Sequence, residues 1–139
     1  MGLKKQIAKV EIKKDPKDPK SLNISIETPI WKSEVDTGFI VDLKLFGIQT
    51  FVNNKNEIDE AISEMLTVFF HTAQSSGKGI HAELKSLGWE PKKQNLRYRT
   101  NVNKTIKKRI PSENFNIPSS PVLENLLHGA PSRKVQLSV

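Results

Sequence analysis

The sequence predicts an α+β protein: a three- or four-stranded antiparallel sheet, one long helix packed on it, a second short helix and a basic C-terminal extension. Three observations carry this prediction. Before residue 53 several short segments alternate apolar and polar residues, the period of a half-buried strand. Between Ile58 and Ala73 the apolar spacing changes to three and four, the period of an amphipathic helix. After Pro91 the chain becomes basic and punctuated by proline.

The elements follow in chain order. Ala8, Val10 and Ile12 alternate with Lys9, Glu11 and Lys13, and the two Asp-Pro pairs of "KKDPKDPK" end that strand, because the residue before proline disfavours helix. In "LNISIETPIW", Leu22, Ile24 and Ile26 share a face, and Pro29 weakens the far end or puts it at an edge. "KSEVDTG" reads as a turn, with Gly38 free to take positive φ. Phe39, Val41, Leu43 and Leu45 form one face of the next strand, Gly47 breaks it, and Ile48, Thr50 and Val52 resume it. Short turns between such strands imply an antiparallel meander.

Asn56 suits the N-cap of the long helix, with Asp59 three residues on, and Glu57, Asp59 and Glu60 favour the positive end of its dipole. Its apolar stripe is Ile58, Ala61, Ile62, Met65, Leu66, Phe69 and Ala73. "SSGKG" interrupts it. A short helix follows, with Ile80, Leu84 and Leu87 on one face, Gly88 as C-cap and Trp89 as an anchor against the sheet. The expected core includes Phe39, Val41, Leu43, Ile62, Met65, Phe69 and Trp89. Residues 1–90 read as the folded domain and 91–139 as a tail. In that tail "PSENFNIPSSP" is turn-like, and Ser120, Pro121 and Gly129 frame a short helix. "RKVQLSV" is a candidate terminal strand.

Composition narrows the function. The 139 residues contain no cysteine, which excludes disulfides, thiol nucleophiles and cysteine-ligated zinc. No apolar run reaches the ~18 residues of a membrane span. "MGLKKQIAKVEIKK" has no apolar signal region, so a cytoplasmic location is expected, with no membrane partner. The net charge of +7 favours anionic partners.

Catalytic constellations are sparse. Of the three histidines, His71, His81 and His128, the first two lie ten apart across a glycine break and neither has an acidic partner at metal-ligand spacing. No serine sits in a Gly-x-Ser-x-Gly elbow, and "SSGKGI" lacks the frame of a phosphate loop, which leaves it a hinge between helices. Glu34, Asp36 and Asp42 cluster near one strand, but the alternation turns Asp42 towards solvent. No enzyme activity, metal or cofactor is expected. Lys92, Lys93, Arg97, Arg99, Lys107, Lys108 and Arg109 surround Tyr98, so the basic segment reads either as a nucleic-acid contact or as a solvated linker. Phe115, Val122, Leu123, Leu126 and Leu127 are the apolar residues of the tail suited to docking in a partner's groove.

The strand opened by Gly38-Phe39, a second short strand, a polar turn and a long helix opened by Ile58-Asp59-Glu60-Ala61 resemble the HicB antitoxin domain over about residues 22–89. "LNISIE" stands where that family has its first strand. The resemblance implies a partial, degenerate ribonuclease-H-like fold. It implies a non-catalytic module that binds and occludes a small toxin ribonuclease of the HicA type, as part of a toxin-antitoxin system. The alternative from the residues alone is a nucleic-acid-binding module acting through the basic N-terminal and C-terminal segments. Both leave the oligomeric state open.

Overall fold

Alternation at the start of the chain folds as expected. In the computed structural model, which describes residues 8–18, 20–75, 77–92, 112–118, 121–127 and 130–139, β1 (Lys9–Lys14) pairs antiparallel with β2 (Leu22–Pro29). Val10, Ile12, Ile24 and Ile26 point into the core, and Lys9, Lys13 and Asn23 point out. The proline-rich connection is tied by its aspartates: Asp15 accepts from the Lys17 N–H at 2.9 Å and Asp18 from the Lys20 N–H at 3.1 Å. These side-chain-to-backbone bonds are the mechanism by which aspartate favours turns.

The next segment departs from expectation. "KSEV" is strand, not turn: β3 (Trp31–Val35) pairs with β4 (Gly38–Leu43) across a two-residue turn at Asp36 and Thr37. Four of its five residues are exposed, so β3 carries no apolar alternation from which to recognise it. Gly38 does not adopt positive φ. It is needed for space, because a Cβ there would collide with the Val52 carbonyl oxygen and lie 2.7 Å from the Phe51 ring. β4 ends at Leu43, and Lys44 to Gly47 form a tight turn with Gly47 at φ 69°. Both Leu45 and Phe46 are tucked under it. β5 (Ile48–Val52) completes the three-stranded sheet β3-β4-β5.

A 3-10 turn at Lys55–Glu57 leads into α1 (Ile58–Ser75). The helical path therefore starts before the expected cap at Asn56. The Glu57 carboxylate reaches back to accept from the Asn53 and Asn54 N–H groups, each at 3.3 Å. The buried row of α1 is Ile58, Ile62, Leu66, Phe70 and Ala73, with Ala61, Met65 and Phe69 half-buried beside it. The expected core residues Phe39, Met65 and Phe69 thus lie at the core's margin, whereas Val41, Leu43, Ile62 and Trp89 are fully inside. α1 packs against β5 and against β8 (Ser132–Ser138).

After α2 (Ile80–Ser86), Gly88 at φ 98° turns the chain and Trp89 enters the core, as the sequence predicts. Its indole N–H donates to the Leu45 carbonyl at 2.9 Å, and its ring lies 5.1 Å from that of Phe46. The remaining strands cross the expected domain boundary. β6 (Glu90–Pro91) pairs with β7 (Ser112–Asn116), β7 with β1, and β8 with β2, giving the five-stranded antiparallel order β6-β7-β1-β2-β8. "PSENFN" is therefore largely strand, and the sheet draws on both sides of residue 91. The fold is α+β, with two antiparallel sheets where the sequence suggested one. α3 (Pro121–Leu126) is joined to β3 by the Trp31 indole N–H, which donates to the Leu126 carbonyl at 2.7 Å. Among the described residues no helix is long and apolar enough to cross a membrane.

Candidate interaction site

Among the described residues, one row of α1 is left exposed. Glu64, Val68 and Thr72 recur at four-residue spacing and share one row of the helix. Beside that row Met65 and Phe69 are only half-buried. Ile48 and Gln49 approach from the edge strand β5, and Gly77 and Glu83 close the far end. Together they bound a groove of about 510 Å³. Val68 is 63% exposed, the most exposed large hydrophobic residue among those described. Its side chain forms part of the groove's apolar wall.

Among the described residues the charge at the rim has one sign: Glu64 and Glu83 line the groove and no described lysine, arginine or histidine does. Among the described residues neither carboxylate has an ion-pair partner. An apolar trough with unpaired carboxylates suits an apolar segment flanked by cations, because burying the trough removes apolar surface from water while the rim supplies opposite charge.

The residues singled out from sequence are scattered. Phe115 is 1% exposed: it sits in β7 opposite Val10, in the core, where its ring meets His81 at 5.0 Å between centroids. It is a packing residue as the chain is folded, not a presented anchor. Its alternate neighbours in β7 carry the polar face, and that strand pattern outweighs the turn residues around it. Leu126 is 46% exposed and Leu127 half-buried. Val122 and Leu123 fall within α3, but their side chains lie outside the described residues. Of the basic set, Lys92 is exposed and its N–H donates to the Asn114 carbonyl at 2.7 Å. Lys93, Arg97, Arg99, Lys107, Lys108 and Arg109 lie outside the described residues, as do Tyr98, Ser120, His128 and Gly129.

His71 is exposed on α1, and His81 pairs with Glu113 at 2.8 Å, bridging α2 and β7. Among the described residues no three histidine, aspartate or glutamate side chains converge as metal ligands. Ile48, Met65, Phe69 and Ala73 are read from sequence as strand or helix face residues, and none of the groove residues is a sequence-derived site candidate. The signal was Val68, an apolar residue off the α1 stripe, but a single off-stripe valine does not say which element lies beside it.

A scan against protein-family models found no match, and searches of curated proteins and of solved structures found no similar chain. The groove and its chemistry are therefore the basis for a functional reading.

Proposed function

We propose that the protein is a non-catalytic interaction module of the antitoxin kind, whose groove receives an apolar, cation-flanked segment of a small basic toxin ribonuclease of the HicA type in the cytoplasm. The observation that carries it is the trough of Ile48, Met65, Val68 and Phe69, open among the described residues, with Glu64 and Glu83 at its rim. Support of a second kind comes from chain order. β3, β4 and β5 followed by α1 are a three-strand meander leading into a long helix, and Gly38-Phe39 and Ile58-Asp59-Glu60-Ala61 hold the positions that resemble the HicB domain. The strand ahead of Gly38 in this unit is β3, whereas "LNISIE" belongs to β2 in the other sheet. Occlusion needs surface complementarity rather than chemistry, which accords with a groove lined by apolar side chains and two carboxylates.

The test is calorimetric titration against a purified small basic toxin ribonuclease of the HicA type. Val68→Asp should weaken binding by at least about tenfold, because an interface core tolerates a buried unpaired charge poorly. Glu64→Lys/Glu83→Lys should weaken it further at low salt than at high salt. Binding that ignores Val68→Asp removes the groove from the interface. The nucleic-acid alternative rests on the +7 charge and the basic segments. It would show instead as duplex or single-strand affinity that falls with salt at a log–log slope of about −0.7 to −0.9 per phosphate contact, indifferent to Val68→Asp.

A further inference from the structure

The edge of the three-stranded sheet opposite the groove has a pattern of its own. β3 is terminal in the order β3-β4-β5, and among the described residues no strand pairs with its other side. An open strand edge is a template for pairing with another chain. Its sequence, Trp31-Lys32-Ser33-Glu34-Val35, reads with opposite charges equally spaced about a central serine. Lys32 and Glu34 lie on the same face, opposite Val41 and Phe39 of β4, and both are exposed. Among the described residues neither has an ion-pair partner. Trp31, Ser33 and Val35 lie on the other face, beside Ile40 and the 45%-exposed Phe51.

We propose that β3 pairs antiparallel with β3 of a second copy of this chain, about a two-fold axis through Ser33, so that the two three-stranded sheets become one of six strands. Register and charge select this arrangement. With the axis at Ser33, each Lys32 stands opposite the second copy's Glu34, and each Trp31 opposite the second copy's Val35. Moving the axis to Lys32 sets lysine opposite lysine, and moving it to Glu34 sets glutamate opposite glutamate. Directly opposed like charges are unfavourable and unlike charges favourable. Placing the axis between two residues would join the core face of one copy to the outer face of the other, because a one-residue slip exchanges faces. Only the Ser33 axis keeps both core faces on one side and pairs every charge.

The outer face agrees. Val35 is 38% exposed at the open edge, and the second copy's Trp31 would cover it. Trp31 is held from within the chain, by its indole bond to Leu126 and by the Lys44 ammonium 5.4 Å from its ring centroid. Its position is thus set before any partner arrives. The chemistry is self-complementary, as an isologous contact requires, which is why a second copy rather than another protein is the occupant. β4 and β5 separate β3 from the groove, so this contact does not compete with groove binding.

Charge reversal with rescue tests it. Sedimentation equilibrium of the full chain should show a reversible dimer. K32E and E34K should each weaken it by about tenfold, since both symmetry-related pairs become like-charged. The double variant K32E/E34K should restore it, because reversing both charges leaves every pair unlike. The chain has no cysteine, so Ser33→Cys introduces a single thiol on the axis, and mild oxidation should give a covalent dimer far faster than with Ser132→Cys on β8. A chain that stays monomeric at high concentration would overturn the proposal, leaving Lys32 and Glu34 as guards of an open edge. So would a dimer indifferent to the single reversals, or one not rescued by the double variant.

Discussion

The two sheets bury one face each by the same alternation, yet their outer faces differ. On the five-stranded sheet the outer face is polar throughout: Lys9, Glu11, Lys13, Ser25, Glu27, Lys134 and Gln136 cover it, with Lys9 and Glu27 paired at 3.8 Å. Its β6 edge is only two residues long, while its β8 edge runs seven residues and is also terminal among the described residues. On the three-stranded sheet Ile40 is half-buried opposite exposed Phe51, Val35 is exposed, and both edges are open among the described residues. A polar face with a short edge strand is one way natural sheets stay solvated and unpaired. A small sheet with apolar residues on its outer face, open edges and an adjoining groove is the part of the molecule suited to contact. Among the described residues, the difference puts the surface with the least covered apolar area around β3, β5 and α1.

Six substitutions break or sharpen that comparison. Both sheets rest on the core beneath α1, so Phe70→Ala should lower stability by about 3–5 kcal/mol in a denaturant titration. Phe69→Ala should cost clearly less, because Phe69 is a half-buried wall of the groove. Equal costs would make the groove wall part of the core. Trp89→Phe removes the donor to the buried Leu45 carbonyl and should cost about 1–3 kcal/mol, read the same way. A neutral result would mean that another donor or water reaches that oxygen.

Gly38→Ala forces a methyl group against Val52 and Phe51 and should cost about 1–3 kcal/mol, whereas Ser25→Ala on the five-stranded sheet should stay within about 0.5 kcal/mol. Indifference at Gly38 would show that the small sheet yields easily. The smallest effect is expected on its outer face. Phe51→Thr should change stability by less than about 1 kcal/mol, the range of a cross-strand pair, with far-UV circular dichroism unchanged. A larger loss would make Phe51 a structural cover for Gly38 rather than contact surface.

Much of the fold was legible from local pattern, and the misses are informative. β1, β2, β4, β5, α1, α2 and the terminal strand follow from apolar spacing, and Trp89 was placed correctly by the glycine before it. At the end of the helix the apolar spacing favours Phe69 while the buried residue is Phe70, because two adjacent phenylalanines both fit a spacing of three or four. β3 was missed because an open edge needs no apolar alternation, and β7 because serines, asparagines and prolines outnumber its single buried phenylalanine.

By itself the sequence determined the α+β class, the alternating and helical segments, and the absence of cysteine chemistry, since these depend on residues a few positions apart. Tertiary structure alone decided that residues 112–116 and 132–138 flank β1 and β2, that Phe115 is core, and that Val68 faces a groove beside β5. The physical reason is that a strand's partner, and what lies next to an off-stripe side chain, are set by contacts between distant parts of the chain. Periodicity reports which face of an element is apolar, but not what that face meets.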